Sequence, residues 1–341
     1  MRNERTYRVG VVGAGMVGQR LVSVLERRKF PLEELRILAT SAREQQIAGR
    51  KRSVVETCEE AFDGLDIALF AGTEGEKGAS QRFGWKAVEK GVFVVDNGAD
   101  FRMDPRVPLV VPEVNPEAMR NHQGFIANPN CSTIQMVVAL APLHRAAALK
   151  RVVVCTYQAV SGTGREGSRA LEQQRAASAS GGEMELGPYP WAIFNNCIPQ
   201  VGGPHEDYPG YTSEEAKMID ETRKILDYPD LPITATCVRV PVTNSHSEAI
   251  NAEFERDLPV DEARDLLSAA DGVVVIDDLA RSCYPLAADA DGEDPVYVGR
   301  IRKDRSRSRT LDLWCVADNL LKGAALNTVQ IAETAIEMGL I

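Results

Sequence analysis

The pattern of hydrophobic and polar positions changes in kind near residue 130. Before that point, compact apolar runs at 7–12, 35–39, 66–71 and 92–96 read as strands, and a helical pattern covers 76–90. Alternating strands and helices predict a doubly wound, mostly parallel sheet of the α/β class. A short strand at 124–127 is stopped by Pro129, and 132–147 then carries apolar residues at helical spacing (Ile134, Val137, Val138, Leu140, Ala141). Beyond it, longer strands at 151–160, 233–242, 249–256 and 310–317 are joined by fewer helices, which predicts an α+β domain with a largely antiparallel sheet. The closing helical pattern, 319–338, spaces Leu320, Ala324, Ala325, Val329, Ala332 and Ile336 so that they can pack back onto the first domain. The expected division is therefore 1–130 completed by 319–341, and 131–318.

A chain of 341 residues exceeds the range of one hydrophobic core, which agrees with two domains. The formal net charge of −10 argues against a nucleic-acid partner. No apolar run is long enough to span a bilayer, and residues 1–6 are too polar and too short for a leader, so a cytoplasmic protein without membrane contact is expected. The seven cysteines lie far apart without a C-x-x-C pair, and the four histidines show no ligand spacing, so neither a disulfide framework nor a metal site is expected.

Candidate chemistry begins at Gly13-Ala14-Gly15-Met16-Val17-Gly18, a G-x-G-x-x-G sequence after a strand and before a helix. In that context the glycines let the backbone approach a pyrophosphate seated on the helix N-terminus, the Rossmann-type arrangement. The next strand ends in Thr40-Ser41-Ala42-Arg43, where an NAD-preferring site carries an acidic residue for the ribose hydroxyls. Hydroxyls with an arginine favour a 2′-phosphate and hence NADP; the other reading of Arg43 is a solvated loop charge.

Asn128-Pro129-Asn130-Cys131-Ser132-Thr133 places one cysteine where a turn hands over to an apolar helix. Unpaired amides and the partial positive charge at a helix start favour a thiolate, so Cys131 is the candidate nucleophile; a buried core cysteine is the alternative. Gln158 ends a strand before a glycine turn (Ser161, Gly162), and Arg239 interrupts an apolar strand, where it needs a partner or an anion. His246 follows a turn and is the acid or base candidate, or caps that turn. Thr212 and Glu215 fit a capping box, leaving Glu214 and Lys217 on one helix face for a ligand or for each other. Arg102 lies beyond the end of a parallel strand, the edge where such sheets bind ligands.

These segments resemble the aspartate-semialdehyde dehydrogenase family over nearly the whole chain. The resemblance rests on 128–133, Gln-Ala-Val-Ser-Gly-Thr-Gly at 158–164, Glu-Glu-Ala-Lys at 214–217, Arg-Val-Pro-Val at 239–242, His-Ser-Glu at 246–248 and Asp-Asn-Leu-Leu-Lys-Gly-Ala-Ala-Leu-Asn at 318–327. It implies NADPH-dependent reduction of L-4-aspartyl phosphate to L-aspartate 4-semialdehyde and phosphate, on the route to lysine or diaminopimelate, threonine and methionine. Cys131 would form a thioester, Gln158 orient it, and His246 act as general acid/base. Arg239 would hold the substrate carboxylate, Glu214 its ammonium, and Arg102, Lys217 and Asn130 the phosphate. Gly13, Gly15, Met16, Val17 and Gly18 would meet the cofactor, with Thr40, Ser41 and Arg43 at its 2′-phosphate and Ser161, Gly162 and Asn319 from the second domain, which would also form a homodimer or homotetramer.

The glycine loop is one residue shorter than the family's usual form, Asp100 adds a negative charge before Arg102, and Ser245 replaces a glycine common before the histidine. An Asp100 that faced the site would weaken phosphate binding. The other readings are a sibling acyl-phosphate or acyl-CoA reductase, such as an N-acetyl-γ-glutamyl-phosphate reductase, and a catalytically silent paralogue serving as a binding protein. Glu214 argues against the acetylated substrate, whose amine carries no charge.

Overall fold

The structure, a computed structural model, describes residues 5–72, 75 and 78–341. The leader reading at 1–6 therefore falls mostly outside the described residues, as do 76 and 77 of the helix expected over 76–90. By compactness the chain divides into Met1–Asn130 with Ala324–Ile341, and Cys131–Gly323. The boundary expected at 318/319 falls at 323/324, because the first turn of the closing helix is held from Asp318.

In chain order the first unit holds β1 (Tyr7–Val12), α1 (Met16–Arg27), β2 (Leu32–Ala39), β3 (Arg43–Ile47), β4 (Arg50–Glu56), β5 (Ile67–Phe70), α2 (Trp85–Glu89), β6 (Phe93–Asp96) and β7 (Phe125–Ala127). Cys131–Ala147 forms α3, followed in the second unit by β8 (Leu149–Gln158), α4 (Arg165–Ser180), α5 (Ser213–Ile225), β9 (Ile233–Arg239), β10 (His246–Phe254), α6 (Val260–Ser268), β11 (Val273–Val275), α7 (Ala287–Ala290), β12 (Val296–Lys303) and β13 (Thr310–Ala317). The last helix, α8 (Leu326–Glu337), belongs to the first unit.

The first sheet runs β3-β4-β2-β1-β5-β6-β7, parallel except for the β3–β4 hairpin, which sequence periodicity missed because its residues are charged and mostly exposed. Central strands buried on both faces read as continuous apolar runs, and β1, β5 and β6 are legible for that reason. Within this unit α8 packs on α1, tied by Arg28 to Glu333 at 2.6 Å. The second sheet runs β11-β12-β13-β10-β8-β9, with antiparallel pairs at its centre and parallel pairs at each end. Helix α3 is buried around most of its circumference, packing against α5, α6, β10 and β13, so its apolar residues are not confined to one stripe.

Two helices expected to be regular open as π-helical turns, at Ser80–Gly84 and at Leu321–Ala325. The second is anchored by Asp318, whose Oδ1 accepts from the Leu320 and Leu321 amides at 2.8 and 3.1 Å. π-turns concentrate at functional sites because they redirect one turn of backbone without ending the helix.

At the end of β6, Asp96 is fully buried and accepts from Ser80 Oγ at 2.6 Å and the Gly98 amide at 2.9 Å. Burial pushes its carboxyl up to about 6, against those two donors and the Arg102 charge, with Asp100 adding to the rise. The folded state thus holds a proton there that the unfolded chain releases near pH 4. The stabilisation from keeping Asp96 neutral is complete below about pH 4 and lost as pH rises through about 6, a change of roughly 3 kcal/mol. Asp96→Asn is expected to remove this dependence. Urea unfolding of both proteins at acid and neutral pH checks it, and parallel stability curves would refute the assignment.

Candidate active site

In the first unit the glycine loop has the form a dinucleotide needs. Gly13 has φ 111°, a conformation that disfavours other residues, and a Cβ on Gly18 would lie 1.7 Å from the Gly13 carbonyl oxygen. A Cβ on Gly15 would meet nothing within 4 Å, leaving the backbone open at the start of α1, where Met16 and Val17 follow. Arg43 begins β3 rather than sitting in a loop; it donates to the Ser41 carbonyl at 3.0 Å and to Gln45 Oε1 at 3.0 Å. Gln45 in turn donates to the Ala14 carbonyl at 2.9 Å, so one amide couples the arginine to the glycine loop, with exposed Thr40 and Ser41 beside it. Sequence reasoning missed Gln45, which carries no motif. The same unit fixes Arg102, buried, through the carbonyls of Asn128 at 3.0 Å and Asn97 at 2.7 Å. Asp100 accepts from the Gly75 amide at 3.0 Å, and buried Asn130 ends the unit.

In the second unit Cys131 is the first residue of α3 and is half-buried. A Cβ on Gly323 would stand 2.7 Å from the Cys131 Cβ, so the π-turn brings its glycine directly against the cysteine. Gln158, the last residue of β8, donates to Ser132 Oγ at 3.0 Å and to Glu214 Oε1 at 3.1 Å. It therefore joins the residue after the cysteine to α5. The capping box at the start of α5 is formed as expected, and Glu215 also accepts from the Cys237 amide at 2.9 Å, so its carboxylate is used structurally. Glu214 is buried and Lys217 half-buried on the same helix.

His246 follows a turn at 243–245, as expected, and is the first residue of β10, fully buried; the strand begins three residues earlier than the apolar run suggests. The polar residues His246, Ser247 and Glu248 hid that start. The Ala159 peptide serves two site residues at once: its N–H donates to His246 Nδ1 at 3.0 Å and its carbonyl accepts from Arg239 at 2.6 Å. Since Nδ1 accepts, the neutral ring carries its proton on Nε2. Burial, with the Arg239 charge, holds His246 well below the usual histidine range. A Cβ on Gly162 would lie 2.8 Å from the Arg239 guanidinium and 3.2 Å from His246 Nε2, so that glycine keeps the space beside both open.

Ser161 donates to Asn244 at 2.8 Å and Asn319 at 3.0 Å, and Asn319 accepts from the Ser245 amide at 3.0 Å. Ser245, at φ 71°, occupies the left-handed conformation that explains the glycine common at this position. Asn244 binds Asp318 at 2.9 Å, connecting the approach to His246 with the π-turn that carries Gly323. Asn244, Asp318 and Gly323 were not singled out as site residues; the signal for the last was a glycine inside a helical pattern. Among the described residues no group of acidic, cysteine and histidine side chains could hold a metal.

Residues 8–122 match the family model of the semialdehyde dehydrogenase NAD binding domain, and 140–322 that of the semialdehyde dehydrogenase dimerisation domain. The chain is 48% identical to aspartate-semialdehyde dehydrogenase of Aquifex aeolicus over 98% of its length and 99% of the relative. It is 44% identical to that of Bacillus subtilis, over 99% of both chains. The crystal structure of aspartate semialdehyde dehydrogenase II from Vibrio cholerae has a TM-score of 0.91 and 41% identity, covering 98% of this chain and 99% of that one. A second structure of that enzyme, complexed with ASA, has the same TM-score. With the glycine loop before α1 and the cysteine at the start of α3, this full-length similarity places the chain in the aspartate-semialdehyde dehydrogenase family.

Proposed function

We propose that Cys131 is the nucleophile with which this oxidoreductase converts L-4-aspartyl phosphate to L-aspartate 4-semialdehyde. The Cys131 sulfur attacks the acyl carbon, the acyl–oxygen bond breaks and phosphate leaves, giving a thioester. The thioester carbonyl then takes up a hydride, the chemistry that bound NADPH supplies. His246 holds its proton on Nε2, so it serves the acid half of its role, donating to the alkoxide oxygen of the thiohemiacetal. Collapse restores the carbonyl, breaks the carbon–sulfur bond and returns the thiolate, with no net proton transfer. A neutral donor is therefore sufficient, in keeping with a histidine that burial keeps uncharged.

Arg239 is assigned to the substrate carboxylate, since one of its nitrogens is anchored on Ala159 and a guanidinium has donors to spare. Glu214 takes the ammonium, with Gln158 between it and Ser132. Arg102, Lys217 and Asn130 are assigned to the phosphate. NADP is favoured through Thr40, Ser41 and the Arg43–Gln45–Ala14 link, with Ser161, Gly162 and Asn319 completing the cofactor assignment. The outer face of the second sheet presents exposed Tyr157 beside half-buried Trp314, ring centroids 5.4 Å apart, as apolar surface for a second copy. A cytoplasmic location fits cysteines that form no disulfide among the described residues. Among the described residues no helix is long and apolar enough to cross a membrane.

The observation that carries this reading is the double use of the Ala159 peptide, which fixes the catalytic histidine and the substrate arginine in one geometry. Purified protein mixed with L-aspartate 4-semialdehyde, phosphate and either NADP or NAD is expected to give phosphate-dependent reduced-cofactor absorbance, faster with NADP. Folded protein that is silent with both would overturn the function. Equal or faster reaction with NAD would overturn the cofactor assignment alone.

A further inference from the structure

Glu248 closes the His-Ser-Glu motif, yet the reaction above gives it no role. It is fully buried, and among the described residues neither carboxyl oxygen has a hydrogen-bond donor. Side chains two apart on a strand share a face, so Glu248 points to the same side of the second sheet as His246. Register places Glu248 opposite Thr156 of β8 and Cys315 of β13, and Thr156 opposite Cys237 of β9. Cys237, Thr156, Glu248 and Cys315 thus form a buried row across four strands, two residues behind Arg239, Gln158 and His246. The row supplies a hydroxyl and two thiols, and both thiols are themselves pushed up chiefly by burial.

From α3, packed over this row, comes the amide of Gln135. Gln135 lies one helical turn after Cys131 and donates through Nε2 to the His246 carbonyl at 3.4 Å. Its own Oε1 is buried without a donor among the described residues. An ionised Glu248 would leave that oxygen orphaned and add a buried charge, two costs that one proton removes. We propose that Glu248 is a positioning residue that works as an un-ionised carboxylic acid, donating its O–H to Gln135 Oε1 and so locking the amide that ties the nucleophile's helix to the His246 main chain.

Burial also drives the Glu248 carboxyl well above the usual carboxylate range, outweighing the opposite pull of the Gln135 amide. Its contribution to stability is complete below the unfolded pKa of about 4 and is lost as pH rises through the raised folded value. Among the described residues, the titratable groups on its face are His246 two residues back on β10, Cys315 from β13 and, beyond Thr156, Cys237 from β9; α3 brings the Gln135 amide.

The proposal rests on the assignment of Cys131 and His246 above, and two of its readouts are independent of turnover. Glu248→Gln keeps a donor and an acceptor without the acid, whereas Glu248→Met keeps volume and loses both. We expect E248Q to retain kcat within about threefold and to gain thermal stability over wild type as pH rises toward 9. E248M is expected to lower kcat about tenfold with KM nearly unchanged, and to slow alkylation of Cys131, followed by peptide mass spectrometry. In the wild-type protein an infrared band of an un-ionised carboxylic acid should persist near pH 8 and vanish in E248Q, a test that survives misfolding of E248M. Absence of that band, wild-type kcat and alkylation in E248M, or equal damage from both substitutions would overturn the proposal. Wild-type protein that shows the band but lacks turnover would indict the Cys131 mechanism instead.

Discussion

Replacing Cys131 with alanine is expected to abolish turnover, lowering kcat by about 10⁴ or more, while unfolding and NADPH binding stay near wild type. The residue is half-buried at the first position of α3, so losing one sulfur removes little packing. The first helical residues make few intrahelical amide bonds, and alanine is a good helix former there. No other group in the second unit stands at a helix start with Gln158 bonded to its neighbour, so no substitute nucleophile is at hand among the described residues. Steady-state kinetics with fluorescence titration of NADPH checks both halves. Residual activity above about 1% of wild type would exclude a covalent thioester.

The second large effect is expected at a residue that contributes no chemistry. Gly323→Ala would place a methyl group 2.7 Å from the Cys131 Cβ and 3.2 Å from its Cα. Neither atom is the end of a flexible side chain, so relief requires the start of α3 or the π-turn to move. A shift of that kind misaligns the thiolate with the acyl carbon, and about 10²-fold loss of kcat is expected. Overpacking adds a stability loss of about 1–3 kcal/mol. Gly203→Ala, whose Cβ would meet nothing within 4 Å, is the matched control. Kinetics and urea unfolding of the two variants decide the matter: a G323A enzyme as fast as G203A would mean that the π-turn does not set the position of the nucleophile.

The sequence by itself determined the elements whose burial is uniform or strictly periodic. The strand expected at 310–317 is β13 residue for residue, β1 is likewise complete, and the capping box at Thr212 forms as read. The candidate nucleophile, Gln158, Arg239 and His246 were legible because each is a polar residue set against an apolar run or a glycine turn. What the sequence left unsettled was where polar strand residues begin and which distant residues face each other. The start of β10 depends on register with strands far along the chain, whereas the β3–β4 hairpin is local and escaped because its residues are charged and mostly exposed. The Ala159 bridge between His246 and Arg239, the contact of Gly323 with Cys131, and the row containing Glu248 were decided by tertiary structure alone. The physical reason is that side-chain periodicity is a local property, whereas register across strands and the approach of a helix start are set by packing between segments far apart in sequence, as in Glu248 with Cys315, His246 with Ala159 and Gly323 with Cys131.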